Sequence, residues 1–496
     1  MKRIALLILS IVLCAFLAAS CEKGGASDPG TKPGGNTRPP VPTATEPAVD
    51  DLSDWDGPVV TVAFPWDGGD LKDKIREFEE SGEVRVKRMD YSVLNSDFDP
   101  SAGEERLALD LVTGKIAPDL VLIPSATGRL ADAVREKNLW ADLAPRIEND
   151  GFLNREDLFA SVLASFSTAD GKIWALSNGF TANTLIGNDA LLGDYAGREG
   201  WTLEELLDFA DSIPPDVVLV SHLCHEQAAD VLLGSDGYAQ FIDREAGTCS
   251  FDSPLFLRWL KFLAPLPKDW NELTVKSPLE SKPREERYEL YYTGKIALEN
   301  RIYFKVNQMV EDAAVFGTDA FTRIGYPDAA QSRMKLDFDW TYAILNTAEN
   351  PDGAWDFMKT FFEPDRMGEP PRLMVHEIPV LKSIFEEMTA QYKDTIFIQY
   401  FSGGGGAVAK GHPDNPQSDA ELDQPGHMYE FTEEDGERIF ALLDSEQVTR
   451  IADRTPSEVR AIVDEEISAF LGGASTAEGC AAAIQSRVTI WLAEHK

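Results

Sequence analysis

Two short loops carry side chains suited to recognising a small polar molecule. Pro65-Trp66-Asp67-Gly68-Gly69 follows the apolar run Pro58–Phe64, and Pro124-Ser125-Ala126-Thr127-Gly128 follows Asp119–Ile123. An indole offers a flat apolar face, while carboxylates and hydroxyls offer directed hydrogen bonds, and a good pocket combines the two. Trp66 with Asp67 is one candidate pair, and Ser125 with Thr127 another. Each has a plainer reading: Trp66 covers a rim, and Asp67, Ser125 and Thr127 cap the helices that follow them. Phe180, inside Gly171–Gly187, is a third candidate, with hinge packing as its alternative. None of these side chains is asked to make or break a bond. His222-Leu223-Cys224-His225 has metal-capable groups, but no further Cys/His cluster stands beside it in sequence, so no metal site is expected. GxxxxGK[ST] and GxGxxG fingerprints are missing from the chain, which argues against a nucleotide, and no cofactor is expected.

The loops have this meaning because of the elements around them. Pro58–Phe64 reads as a buried strand, the stretch from about Asp70 to Glu80 as an amphipathic helix, and Val84–Met89 as a strand. Ala102–Thr113 reads as a helix, Asp119–Ile123 as a buried strand, and a further helix runs through about Glu136. Strands alternating with helices point to an α/β fold with a largely parallel sheet, in which ligands sit outside the carboxyl ends of the strands. Both loops leave such ends. GKIWALSNGFTANTLIG, residues 171–187, combines a turn, a short apolar strand Ile173–Leu176 and a second run Thr184–Ile186. It is read as the chain crossing from one globular lobe to another, with Phe180 at the crossing.

The N-terminus carries Met1-Lys2-Arg3, then an apolar run from Ile4 to Ala19 that is too short and too small-residue-ended for a comfortable membrane span. It ends in Leu17-Ala18-Ala19-Ser20-Cys21, which resembles a bacterial lipobox, with Cys21 as the lipidated residue. Residues 22–57, rich in Gly, Pro, Ser and Thr, read as a disordered tether. Cys224, Cys249 and Cys480 remain in the folded part, an odd number at wide spacing, so a disulfide is possible but not demanded. The chain has 46 basic and 84 acidic residues, a formal charge of −38, which argues against nucleic acid and against a basic membrane-docking patch. Its hydrophobic content of 43% is that of a globular chain, and its length after the tether suits two or three domains.

Several stretches together resemble family 1 extracellular solute-binding proteins of ABC transporters. Gly103 to Ile123 (GEERLALDLVTGKIAPDLVLI) is similar to that family's helix, Pro-Asp turn and buried strand. Leu139–Leu143 (LWADL), Gly171–Ile186 and Gly200–Leu206 (GWTLEEL) follow in the family's order, the last with Thr202 and Glu205 spaced as a capping box. Ala343–Phe357 (AILNTAENPDGAWDF), Glu465–Gly473 and Ala483–Val488 continue the likeness. The resemblance covers nearly the whole chain after the tether. It departs at His376-Glu377-Ile378-Pro379, which leaves the third crossing unplaced.

The resemblance implies a two-lobed periplasmic-binding-protein-like fold (type II), with a ligand cleft between lobes joined by hinge crossings. Lobe 1 would take residues 58–177 plus 327–375, and lobe 2 residues 178–326 plus 376–496, after the signal peptide 1–21 and tether 22–57. It also implies a monomer, anchored by lipid to the outer face of the bacterial cytoplasmic membrane, that hands a sugar or oligosaccharide to ABC permease subunits. By position it adds Tyr303 and Trp340 to the ligand-binding candidates, while Trp201 and Trp355 lie on helical patterns and read as core. Sugars present C–H faces that match aromatic rings and hydroxyls that match Asp, Asn, Ser and Arg. Two rivals stand beside this reading: the same fold holding a polyamine, peptide or other small solute, and a surface glycoside hydrolase. The second would need a carboxylate pair ~5–9 Å apart, for which no local pattern exists.

Overall fold

The computed structural model describes residues 45–66, 71–96, 101–221, 223–234, 237–276, 290–291, 293–310, 312, 316, 320–327, 334–367, 372–374, 377–392, 395–399, 405–409, 428–445, 448 and 450–495. Asp67, Cys21 and His222 lie outside them. Among the described residues no helix is long and apolar enough to cross a membrane.

In chain order the first strands are β1 (Ala48–Val49), β2 (Val59–Phe64), β3 (Arg85–Asp90), β4 (Leu120–Ile123) and β5 (Leu176–Ser177). Then come β6 (Gly179–Asn188), β7 (Val218–Val220), the hairpin β8 (Ile242–Asp243) and β9 (Thr248–Cys249), and β10 (Ile296–Tyr303). β11 (Phe321–Arg323), β12 (Lys335–Asp337) and β13 (Thr341–Ile344) follow, then the hairpin β14 (Asp365–Met367) and β15 (Arg372–Met374), and β16 (Ile378–Pro379). The first sheet runs β1-β3-β2-β4-β13-β5; the second runs β11-β6-β10-β7, with β12 and β16 also paired to β6. The fold is mixed α/β: beside these two six-stranded sheets and the two hairpins, Thr395–Gln399, Gly405–Ala409 and Met428–Glu430 form a three-stranded sheet among the described residues.

Each sheet has its own core. Val60, Val62, Leu120, Ile123, Trp174, Ile344 and Phe357 pack the first; Trp201, Phe251, Phe256, Trp259, Leu298, Ile484 and Val488 pack the second. The Pro-Asp turn before β4 shows how sequence positions a strand. Buried Asp119 accepts from Thr61 N and Oγ1, both at 2.7 Å, and from Asn350 N at 2.8 Å, so one carboxylate joins β2, β4 and the turn after β13. Asn350 in turn caps helix Pro351–Lys359. Thr202 and Glu205 form the capping box their spacing implied, at the start of helix Leu203–Ser212. Trp201 and Trp355 are buried.

Three features depart from the sequence expectation. First, the sequence expects the tether to extend to residue 57, yet β1 already pairs antiparallel with β3. Asp50 accepts from Arg88 Nε and Nη2 at 2.8 and 2.9 Å, and the Arg85 guanidinium lies over the Trp55 ring. A low-aliphatic stretch is ordered here by a sheet edge and a bidentate ion pair rather than by its own burial. Second, the crossing is one continuous strand, β6, buried along its whole length. Its polar residues are tolerated because neighbouring chain satisfies them, as Asp337 does for Asn183. Third, the chain after 376 divides between the cores. Phe385, Phe431, Ile439 and Leu443 join the first core, while Val459, Val463 and Ile467 join the second. Phe385 and Phe440 pack against Phe159, which draws helices Lys382–Tyr392 and Glu433–Leu443 to the first sheet's side.

Candidate functional site

The carboxyl ends of the two sheets meet at the crossing. β5 runs parallel to β2 and β4, because both β4 and β5 pair antiparallel with β13. Its end at Ser177 is therefore at the carboxyl edge of the first sheet, and β6 starts two residues later. β6 is antiparallel to β10, with Ala182 opposite Tyr303, so the carboxyl end of β10 lies beside the first residues of β6.

Register fixes who stands where along the first edge. Ala63 pairs with Val121, Thr341 with Ile123 and Thr341 with Ser177. Carried just past the ladder, that register aligns Trp66, Pro124, Trp340 and Asn178. Trp66 and Trp340 are two strands apart, about 10 Å at the usual strand spacing. Trp66 is 45% exposed, unusual for an indole in a folded domain, and Trp340 is half-buried. Ser125 and Thr127 are half-buried in the loop after β4; their hydroxyls are 3.3 Å apart, and Ala126 N donates to Phe338 O. Neither hydroxyl caps helix Arg129–Glu136, whose N-cap is Gly128.

Phe180 is buried in the first core, with its ring centroid 6.0 Å from that of Phe338. Tyr303 is also fully buried, and its hydroxyl donates to Asp312 at 2.7 Å. Its neighbours on the opposite pleat, Ile302 and Phe304, are 46% and 48% exposed. Strand alternation thus turns Phe304 outward where position alone had singled out Tyr303. The signal that finds Phe304 is this parity: Arg301 and Tyr303 both reach the buried Asp312, so the residues between and after them face away.

Beside Trp340 a cavity of about 300 Å³ is lined by Asn178, Gly179, Phe361, Glu363, Asp365, Glu377 and Lys74, among others. Asn178 Nδ2 donates to Phe361 O at 3.0 Å, which fixes the amide. The Glu377 carboxyl lies against Gly179, where an added Cβ would meet its Oε2 at 2.8 Å and its Cβ at 3.0 Å and push that side chain aside. Burial, with Asp339 alongside, pushes the Glu377 carboxyl up from 4.5 to about 8. A raised acid is protonated preferentially in the folded chain, so its contribution is intact below 4.5 and is lost as pH climbs towards 8. Glu377→Gln is therefore expected to raise the thermal midpoint relative to wild type, by a margin that widens from about pH 5 to pH 8 and then levels. Paired melting curves across that range test it, and a pH-independent margin would refute the linkage.

His225 Nε2 lies 3.0 Å from Leu263 O, and Cys224, Cys249 and Cys480 are free thiols. Sequence reasoning missed Phe304, Glu377 and Asn178.

No family model matches the chain, and no curated protein matches it. Solved structures do, and their descriptions are consistently those of solute-binding proteins. An ABC transporter solute-binding protein from Thermotoga lettingae, bound with α-D-tagatose, is 14% identical, with 88% of this chain and 100% of that one covered and a TM-score of 0.45. An ABC substrate-binding protein from Listeria monocytogenes in complex with cycloalternan is 16% identical, with 88% and 100% covered and a TM-score of 0.43. The extracellular solute-binding protein family 1 member from Alicyclobacillus acidocaldarius is 14% identical, with 88% and 98% covered and a TM-score of 0.45.

Proposed function

We propose that this chain captures a sugar or oligosaccharide between its two lobes and releases it to an ABC permease, acting as a binding protein and not as an enzyme. The observation that carries the reading is the meeting of two sheet edges at one crossing. Trp66 is exposed on one edge and Phe304 on the other, with Ser125, Thr127, Trp340 and Asn178 beside the first. Aromatic faces with hydroxyl and amide groups suit a carbohydrate, and lobes joined by narrow strands can close on it by differential contact alone. Asp67 remains a candidate by position, while Phe180 and Tyr303 are fully buried behind this surface. Export through the 1–21 leader, lipidation of Cys21 and a place on the outer face of the membrane complete the reading.

One observation favours a second cargo. The cavity beside Trp340 has Glu363 and Asp365 on its wall, Asp365 within 3.8 Å of Lys74, and the protonated carboxyl of Glu377 beside them. A protonated amine, as on a polyamine, would suit carboxylates next to aromatic faces. Thermal unfolding of the full-length chain, titrated with mono- and oligosaccharides, polyamines and peptides, separates the two. A ligand at 100 times its dissociation constant should add about 2.7 kcal/mol. Stabilisation by a sugar recovered intact supports capture of carbohydrate; response to amines alone transfers the site to the second cargo. Shortened sugar products would point to a hydrolase instead.

A further inference from the structure

The path from helix Glu433–Leu443 to helix Ser457–Leu471 leaves the first core and enters the second through residues 451–457. This segment is gripped from three sides. From the first lobe, helix Arg129–Glu136 supplies Asp132, whose Oδ2 accepts from Ser457 Oγ at 2.6 Å and Ser457 N at 3.1 Å. Arg135, held by Asp132 at 2.6 Å, donates to Ile451 O at 3.1 Å. From the second lobe, Arg244 on the β8–β9 hairpin donates to Ala452 O at 3.3 Å and to Glu136 Oε1 at 2.9 Å, which bonds the lobes directly. From the crossing, β12 supplies Asp337 Oδ1 and Leu336 O to the guanidinium of Arg454; the Asp337 bond is 2.9 Å and Arg454 is 3% exposed. Asp337 Oδ2 meanwhile accepts from Asn183 of β6 at 2.8 Å.

We propose that residues 451–457 form a clasp that holds the two lobes at one angle, with Arg454 as the group that locks the crossing strands together. Three separate passages of the chain between the lobes, β6, β12 and 451–457, meet through Asn183, Asp337 and Arg454. A planar guanidinium with several fixed donors can bind a carboxylate and a carbonyl at once, which a flexible ammonium cannot reproduce. The strands therefore turn as a unit. The clasp also reaches the candidate site, since the helix carrying Asp132, Arg135 and Glu136 begins directly after the Ser125–Gly128 loop. The inference that lobe angle governs capture rests on the two-lobe reading above; the clasp itself does not need a solute to be tested.

The experiment is a distance distribution by pulsed electron double resonance, recorded without solute. Spin labels go on Leu109→Cys in the first lobe and Ile490→Cys in the second, both exposed side chains, with Cys14, Cys21 and Cys249 replaced by serine and buried Cys224 and Cys480 left in place. The clasp predicts a single narrow distribution in the parent, at least doubled in width by Arg454→Met and by Asn183→Ala. Arg454→Lys should fall between, and the thermal midpoint of Asn183→Ala should stay within a few degrees of the parent. An unchanged width in a folded Arg454→Met chain overturns the proposal. If Arg454→Met does not fold, Asn183→Ala decides: no broadening there also overturns it. Failure to find any solute would leave these widths as they are, so the two readings fail separately.

Discussion

Replacing Asp312 with alanine is expected to destabilise the second sheet, around β10 and β11, by about 3–5 kcal/mol, the cost of removing one partner from a buried ion-pair network. Asp312 has no exposed surface. Its carboxylate accepts from Arg301 Nε at 3.0 Å, from Arg323 Nη2 and Nε at 2.8 and 3.1 Å, and from the Tyr303 hydroxyl at 2.7 Å. Burial, helped by this carboxylate, drives the Tyr303 hydroxyl well above its ordinary range, so it remains a donor at all ordinary pH. Take Asp312 away and two guanidinium groups, only 14% and 21% exposed, face each other across a vacated buried site. Asp312→Asn keeps an acceptor but not the charge and should fall between. Denaturant titration, followed by a probe beside each sheet, reads the effect, since a chain with two separate sheet cores need not unfold in one step. A midpoint at the second-sheet probe that did not move would mean the arginines find other partners.

Trp66→Ala should weaken the proposed solute capture more than any other single change at the first sheet's edge, by tenfold to a hundredfold in affinity. That range corresponds to about 1.4–2.8 kcal/mol, in keeping with loss of an aromatic face from a contact. Because the indole is 45% exposed, its removal leaves the unliganded thermal midpoint nearly unchanged. Calorimetric titration of parent and variant with a stabilising solute reads both quantities. Equal affinities would move the site along the edge to Trp340 and the neighbouring cavity. A fall in midpoint to match the fall in affinity would instead make Trp66 a structural rim.

Local structure was legible where physical causes are local. Periodicity and turn chemistry placed the helix seen at Leu71–Ser81, the strand at Arg85–Asp90 and the helix at Ala102–Val112 within a residue or so. The Thr202–Glu205 capping box needs only three residues' spacing, and it formed. What the sequence hides depends on partners far along the chain. β6 reads from sequence only as the short run Thr184–Ile186 because Thr181, Asn183 and Thr184 break its apolar pattern, yet all three are buried. Their neighbours come from β10, β12 and β16, more than a hundred residues away. Phe304 escaped notice for a related reason: which pleat of β10 faces inward is decided by Asp312, and nothing adjacent to Tyr303 announces it. Glu377 was noticed only as a departure from the family pattern. Its character comes from lying over Gly179, a contact no window of sequence contains.

The pairing of β1 with β3 gives any pull on the N-terminus a defined route. Force arriving at Thr45 enters through a strand whose hydrogen bonds lie across the direction of pull, and through the two-pronged grip of Arg88 on Asp50. That load spreads into the first sheet from its outer edge, while β5, which feeds the crossing, lies at the opposite edge of the same sheet. Load entering there therefore meets the first sheet at the edge farthest from the start of β6.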